Sequence, residues 1–479
     1  MLNTNGETAW EWGQKGEGMD TSAHPLGYEK IPKLLKKFAV PSIIAMVVSS
    51  LYNIVDQIFI GQGVGYLGNA ATNVAYPLTT ICMAIALLIG IGSASRFSLC
   101  LGGGDKDGAR KAAGNALCMM VVLGILYAVL IELFLDPLLI AFGSTPDVMP
   151  YAQSYTRIVA VGMPLLIVTN GMSSLARADG SPGYSMMCML IGAIVNTILD
   201  PIFIFVFHMG VEGAAIATVI GQLFSFTAAV CYIPRFKNIR LSRTFIRLSP
   251  RECARTASLG MSHSLNQVAL TFVQIILNNS LTYYGAASIY GQDIPLAACG
   301  IVIKTNGILL SVIIGISQGA QPIIGFNYGA RKYKRVRETY KIAILCNMVV
   351  SAFGFILFQF FPRQLISLFG TGEELYFEFA VKFMRIYLMM VIINGVQLIS
   401  SNFFSAIGKP IKGLVLSMTR QVIFLIPLLL ILPLFMGIDG IMYAGPCADM
   451  AAFVATVIVI SREMHAMKEK EIIKTHIHI

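Results

Sequence analysis

Charged residues are scarce in this sequence: Asp, Glu, Lys and Arg make up only 13% of its 479 residues, and 56% are hydrophobic. Soluble domains carry about a quarter charged residues. The shortage therefore excludes an ordinary soluble protein and predicts that lipid is part of the solvent of this chain. The net charge of +10 could suggest a nucleic-acid partner. The basic residues lie in gaps between apolar stretches instead, so no nucleic-acid binding is expected.

Several chemical signatures are also missing. The nine cysteines show neither metal-ligand spacing nor a secreted-disulfide pattern, and they are interpreted as reduced packing residues. No bound cofactor and no enzymatic activity are expected. The phosphate-binding motif GxxxxGK[ST] does not occur, which excludes ATP bound by that motif as the energy source within this chain. The stretch 63–68 fits GxGxxG but falls between two predicted membrane helices, without a βαβ context. An ion gradient is the remaining default drive.

Long apolar windows are abundant, and a helix needs about 20 apolar residues to cross a bilayer. They follow one another with short gaps and predict an all-α polytopic membrane protein. The twelve predicted helices cover 38–60, 70–95, 113–135, 151–176, 184–206, 211–233, 257–284, 296–325, 339–361, 379–404, 411–435 and 438–460.

Lysine and arginine collect in the gaps that follow even-numbered helices, for example Lys106, Arg110 and Lys111 after the second. The gaps after odd-numbered helices are nearly free of them, with Arg363 as the exception. Because positive charge favours cytoplasmic loops, both termini are predicted to be cytoplasmic. The first residues are polar and hold no apolar core, so no cleavable signal is expected.

The sequence repeats itself across its two halves. Residues 142–144 match 369–371, and 210–213 match 437–440, both at a shift of 227 (369 − 142 and 437 − 210). The shift spans six helices, so the halves have the same orientation and a pseudo-two-fold axis along the membrane normal. The predicted organisation is a disordered tail at 1–29, a first six-helix lobe at 30–233, a cytoplasmic linker at 234–256, a second lobe at 257–460 and a cytoplasmic tail at 461–479.

Two acids lie inside predicted spans of the first lobe: Asp56 on helix 1 and Asp200 on helix 5. Asn196 precedes Asp200 by one helical turn, so both can point into one pocket, which Asn170 and Thr218 could complete. Desolvation raises the affinity of a carboxylate for a proton, whereas clustered oxygens can hold Na⁺. The alternative is structural: Asp200 caps a helix broken at Pro201, and Asp56 is a satisfied packing group.

The second lobe does not duplicate this arrangement, since position 200 corresponds to Pro427. Its polar residues include Asn278, Arg420 and Gln421, the candidates for a wall of the substrate cavity. Asp449 could pair with Arg420 or with Lys304, or it could serve a second ion or substrate site.

Several motifs resemble the multidrug and toxic compound extrusion (MATE) family, most closely its DinF-type and MepA-like branches. They lie at 177–182, 196–201, 210–218, 318–329 and 420–421. The resemblance implies a V-shaped pair of six-helix bundles that exports cationic lipophilic compounds in exchange for H⁺ or Na⁺. It also implies ion-linked and cavity roles for Asp56, Tyr155, Asn170, Asn196, Asp200 and Thr218. The acid on helix 7 that the NorM-type branch uses is missing here.

The sequence thus predicts a monomeric antiporter of a bacterial inner membrane that works by alternating access, with Na⁺, if used, bound at Asp56, Asn196, Asp200 and Thr218. Its partners would be membrane lipid and small cationic substrates. One alternative is a flippase for lipid-linked oligosaccharides or polysaccharides, which would favour a strongly cationic cavity. Another is a non-transporting membrane scaffold or receptor, against which the intramembrane acids argue.

Overall fold

The computed structural model describes residues 24–368 and 373–477, and every regular element in that part of the chain is helical. We number the twelve long helices in chain order. They are α1 (Ile31–Gly63), α2 (Tyr66–Gly102), α3 (Lys106–Leu133), α4 (Met149–Ala178), α5 (Pro182–Pro201 with a π-helical turn at Ile202–Val206), α6 (Gly210–Val230), α7 (Pro250–Ala286), α8 (Asp293–Gly329), α9 (Tyr333–Phe360), α10 (Glu374–Tyr387 and Val391–Ala406), α11 (Pro410–Met418, π-helical Thr419–Leu425 and Ile426–Met436) and α12 (Ile438–Ile477).

Each predicted span overlaps one of these helices, which confirms the all-α, twelve-helix prediction. Most helices extend beyond the predicted ends, because their polar last turns project past the apolar stretch that a hydropathy pattern detects. The largest extension is at α12, which continues to Ile477 through the predicted tail. Helix α10 is bent rather than extended, because its two pieces meet at an angle of 50°.

The internal repeat is visible in the backbone. Gly180 after α4 and Gly408 after α10 both have positive φ, +88° and +76°. Each donates its N–H to the carbonyl three residues earlier, and the following residue donates to the carbonyl five residues before it. Gly210 and Gly437 share the same φ of +59°. A positive φ suits glycine because it has no Cβ. The predicted match at 369–371 lies outside the described residues.

The helices pack around a core that is shared at one end and divided at the other. We call the end that carries the basic connections after α2, α4, α6, α8 and α10 the basic end, and the opposite one the far end. The largest apolar cluster joins Phe97 of α2 to Phe326 of α8 and Phe403 of α10 near the basic end. A separate cluster, which includes Phe379 and Leu429, fills the rest of the second half. The two halves therefore meet mainly at the basic end.

Glycines bring the halves together backbone to backbone. A Cβ on Gly260 of α7 would lie 1.9 Å from the carbonyl oxygen of Leu88 on α2. A Cβ on Gly319 of α8 would lie 2.5 Å from the Cα of Ala39 on α1. The same closeness holds for Gly92, Gly102, Gly315 and Gly329. Small residues allow such approach between membrane helices, and 315–319 and 325–329 both fit GxxxG.

A short helical turn, Pro25–Tyr28, fastens the start of the described chain to the basic end. The carbonyl of Leu26 accepts from Asn327 (2.9 Å) and Arg335 (3.2 Å) of the second half. His24 bonds Asn238 of the linker at 3.0 Å, and burial lowers the pKa of His24, which favours its neutral ring. Residues 24–29 were predicted to be disordered, and they are ordered because Leu26 is buried. The rest of that tail, 1–23, lies outside the described residues.

The linker between the halves is held by one buried carboxylate. Asp179, which is 0% exposed, accepts hydrogen bonds from the Tyr232 hydroxyl (2.7 Å) and the Lys237 N–H (2.6 Å). It also accepts from the backbone and side-chain amides of Asn238 at 3.1 and 3.0 Å. Four donors on one carboxylate fix the position of the linker against the α4–α5 corner.

Asp179→Ala should lower stability by about 3 kcal/mol, because it leaves several buried donors without an acceptor, each costing about 1–3 kcal/mol. Thermal unfolding of the purified protein in detergent would register this as a fall of several degrees in midpoint. Asp107→Ala is the matched control, since the Asp107 side chain is 65% exposed and pairs only with Arg110. Equal midpoints for the two variants would contradict the anchoring role.

Candidate functional site

The structure brings the two predicted acids together. Asp56 lies two turns before the far end of α1, and Asp200 lies in the last turn of the α-helical part of α5. Their carboxyl groups are neighbours, close enough to share a proton. Asp200 is 0% exposed and Asp56 is partly buried. The spacing along the chain did not show that these groups touch.

Asn196 and Thr218 complete the cluster as predicted. The Asn196 amide donates to Asp200 Oδ1 at 3.1 Å and to the Thr218 hydroxyl on α6 at 3.3 Å. Asn196 and Asp200 share a face because they are four residues apart on one helix. We call Asp56, Asn196, Asp200 and Thr218 the acid cluster.

The acid cluster contains oxygens that the described residues leave unsatisfied. Oδ1 of Asp56, Oδ2 of Asp200 and Oδ1 of Asn196 are buried and have no hydrogen-bond donor within the described parts of the chain. Buried polar atoms are normally paired, and a cluster of orphaned acceptors indicates a place where a proton or cation binds. Carboxylate, amide and hydroxyl oxygens are hard ligands, which suit H⁺ or Na⁺ better than a transition metal. No cluster of three His, Cys, Asp or Glu side chains suited to a metal occurs among the described residues.

Two tyrosines stand beside the acid cluster. The phenols of Tyr52 and Tyr155 lie close enough to interact electrostatically with both carboxylates. Tyr155 was expected from the resemblance, but Tyr52 was missed. It precedes Asp56 by one helical turn, so the face argument that joined Asn196 to Asp200 would have found it.

Asn170 of α4 is not joined to the acid cluster. Its amide donates to the Leu166 carbonyl of its own helix at 3.0 Å, and its carbonyl accepts from Ser174 at 3.0 Å. The described residues contain no hydrogen bond between Asn170 and either acid. Its predicted role in the cavity therefore stays a prediction.

In the second half, Arg420 and Asp449 form a buried ion pair, which identifies the partner of Asp449 as Arg420 and not Lys304. Arg420 and Gln421 lie in the π-helical segment of α11, and such segments are frequent at functional sites. The Gln421 carbonyl oxygen is buried without a donor among the described residues. Asn278 accepts a hydrogen bond from Gln274 on α7 at 2.8 Å. The cavity roles of Asn278, Arg420 and Gln421 remain predictions.

The acid cluster can exchange one positive charge. Two touching carboxylates cannot both be ionised at low cost, because like charges repel strongly away from water. Such a pair favours the uptake of one positive charge, either a proton shared between the two groups or a cation. A positively charged substrate competes with that ion through electrostatics alone, which is the chemistry that an exchanger requires.

Comparison with known proteins identifies the family and supports the fold. The family model MatE matches residues 41–202 and 264–431. The multidrug export protein MepA of Staphylococcus haemolyticus (strain JCSC1435) is 26% identical over 436 residues, 90% of this chain and 93% of that protein.

Among solved structures, one described as MATE in complex with MaL6 superposes with a TM-score of 0.87 at 22% identity, covering 93% of this chain and 99% of the other. An outward-facing multidrug resistance MATE family transporter of the MOP superfamily gives 0.86 at 21% identity, covering 94% and 99%. These likenesses support the twelve-helix fold. Because the family model matches well over half of the chain, in two segments that follow its repeat, this protein belongs to the MatE family.

Proposed function

We propose that this protein is a secondary active multidrug exporter that exchanges cationic lipophilic compounds for H⁺ or Na⁺. The main support for this proposal is the acid cluster, which has two neighbouring carboxyl groups and oxygens without a hydrogen-bond donor, in the far half of the first six helices. Membership in the MatE family and the similarity to the multidrug export protein MepA support the substrate class. We further propose a bacterial inner-membrane location, a monomer and a transport function without catalysis.

The orientation follows from charge. The basic end would face the cytoplasm, because positively charged connections are retained there. The structure is packed shut at that end through the glycine contacts and through polar bonds such as Gln321 to Ser95 (2.8 Å) and Arg177 to Gln318 (2.6 Å). It would therefore represent an outward-open state, in which the acid cluster is reached from outside.

Alternating access then links the two cargoes. An external ion binds at Asp56 and Asp200, cancels one negative charge of the pair and so weakens its attraction for the cationic drug, which leaves. Closure of the far end and opening of the basic end would return the site to the cytoplasm, where drug replaces the ion. Exchange of one monovalent drug cation for one ion moves no net charge, so the concentration gradient of the ion drives it, with about 1.4 kcal/mol for each tenfold difference across the membrane.

A flippase for lipid-linked saccharides is disfavoured by the charges. Such a substrate needs a strongly cationic cavity for its pyrophosphate. Arg420 is already paired with Asp449, which leaves Lys304 as a single cation among the deep candidates, against the two acids of the cluster. A non-transporting receptor or scaffold would not require a buried pair of touching acids, which is costly without a function.

Ethidium efflux from a host that lacks its own pumps would test this function. Cells that express the protein should lose ethidium faster than cells with an empty vector. Because the two carboxyl groups lie close enough to share a proton, we expect a pH gradient to suffice and Na⁺ to change the rate less than twofold. Efflux that requires Na⁺ at a fixed pH gradient would assign the other ion, and no efflux in either condition would refute the exporter.

A further inference from the structure

A cavity with basic and aromatic walls opens at the basic end of the first six helices, apart from the acid cluster. It measures about 460 Å³. We call it the basic pocket; it is lined by Lys37, Gly180, Ser181, Pro182, Gly183, Tyr184, Tyr232, Arg235 and Lys237. Three separate segments contribute: the start of α1, the start of α5 and the linker after α6.

Its charge is positive and uncompensated. Lys37, Arg235 and Lys237 form no ion pair within the described ranges 24–368 and 373–477. The Arg235 guanidinium donates to the Tyr184 hydroxyl (3.4 Å) and lies over the Tyr184 ring, and the Lys237 ammonium donates to the Gly180 carbonyl at 3.5 Å. The nearby Asp179 is not among the residues that line the pocket. Its carboxylate accepts four hydrogen bonds from Tyr232, Lys237 and Asn238 and so remains buried.

The start of α5 adds to this field. The helix begins at Pro182, and the side chain of Ser181 does not cap its first turn. The N–H groups of a first helical turn carry a partial positive charge and favour an anion. Together with three cationic side chains around a cavity, they form a site for a group with several negative oxygens, of which phosphate is the commonest.

Apolar surface continues directly from the pocket towards the far end. Val40 and Ile44 follow Lys37 on α1 and are 43% and 41% exposed. Met187 follows Tyr184 on α5 and is 38% exposed. In a membrane-spanning helix such side chains face lipid, so the pocket lies where the hydrocarbon ends and headgroups begin. A ligand with an anionic head and apolar chains fits this boundary better than a free anion does.

We propose that the basic pocket binds the phosphate of an anionic membrane phospholipid. Lys37, Arg235 and Lys237 hold the phosphate, Tyr184 and Tyr232 flank it, and the acyl chains lie along α1 and α5. Basic pockets between membrane helices on the cytoplasmic side recognise such headgroups.

A bound phosphate also ties together two helices that the transport site depends on. Pro41 has no N–H, so the carbonyl of Lys37 lacks its usual partner four residues later and α1 is weaker at this point. The pocket contacts α1 beside this weak point and α5 at its first turn. The lipid therefore braces the two helices that carry Asp56 and Asp200.

The test is thermal unfolding of the purified full chain in neutral detergent, titrated with phosphatidylglycerol, with phosphatidylcholine or with inorganic phosphate. The pocket variant is Lys37→Gln/Arg235→Gln/Lys237→Gln. The matched control is Lys30→Gln/Arg240→Gln/Arg247→Gln, which removes the same charge from exposed positions. Phosphatidylglycerol should raise the midpoint of the wild type and of the control. The pocket variant should need roughly 100-fold more lipid for the same shift, since three basic contacts are lost.

Equal responses of the two triple variants to phosphatidylglycerol would overturn the proposal. A shift produced by inorganic phosphate but not by phosphatidylglycerol would overturn the lipid source and assign a free phosphate instead. If the triple pocket variant does not fold, Lys37→Gln alone should still lower the number of phosphatidylglycerol molecules retained in native mass spectrometry, and unchanged retention would refute the site. These measurements do not involve transport, so their outcome is independent of the proposed exporter function.

Discussion

Asp200→Asn and Asp56→Asn should each reduce ion-coupled efflux to the level of cells without the protein. An asparagine at either position cannot release a proton or balance a cation, and the remaining acid loses the partner with which it shares the ion. Drug-induced ion movement should disappear as well, because exchange requires both cargoes to compete for one charge. The expected loss is at least about 100-fold, since an exchanger without its exchangeable site retains only leakage.

Everted membrane vesicles with a fluorescent pH indicator measure both quantities: ethidium uptake and the proton release that it triggers. Glu212→Gln is the matched control, because Glu212 is exposed at the start of α6 in the same half of the protein. Both aspartate variants should fold at least as well as the wild type, since they relieve repulsion between buried carboxylates. Normal coupling in both variants would reject the acid cluster as the site of exchange.

Gly319→Val should trap the protein with its basic end open and abolish efflux. The added Cβ would lie 2.5 Å from the Cα of Ala39, and neither backbone can move aside within a packed helix pair. The two halves would therefore separate along α1 and α8. Gly307→Val makes the same change on the same helix at a position where a Cβ meets nothing within 4 Å, so it should retain most of the wild-type rate.

Cysteine labelling reports the separation directly. Ser98 is 1% exposed, and its Cβ would lie 2.9 Å from a Cβ on Gly325 of the other half. In a protein whose native cysteines are replaced, Ser98→Cys should react with a water-soluble maleimide at least about tenfold faster when Gly319→Val is present. Protection as strong as in the Gly307→Val protein would show that the glycine contacts do not hold the basic end shut.

The sequence was sufficient for the twelve helices, for the repeat and for the identity of the acids. Apolar length and four-residue spacing are local properties, and lipid imposes them strictly because backbone groups must bond within the helix. The pairing of Asp56 with Asp200 was a hypothesis from spacing within each helix. Their contact depends on how α1 packs on α5, which no local pattern encodes.

The features that sequence reasoning missed depend on tertiary packing. The bend of α10 at 388–390 contains no proline. The ordering of 24–29 depends on Asn327 and Arg335, about 300 positions away, which hold a polar stretch that looks unstructured by itself. The Arg420–Asp449 pair was foreseen as one of two pairings, and side-chain direction on α11 decided between them.

The glycine contacts at the basic end have a consequence for how often the transporter can work. Surfaces made of backbone atoms and bare Cα positions have few rotamers to freeze, so joining them orders little side-chain freedom. The glycine contacts can therefore separate and re-form without a search for matching rotamers, so that only the polar bonds and the aromatic side chains of this end have to be ordered again. An interface made entirely of long side chains would have to order its rotamers again at each turnover, whereas the glycine contacts have no side chains to order.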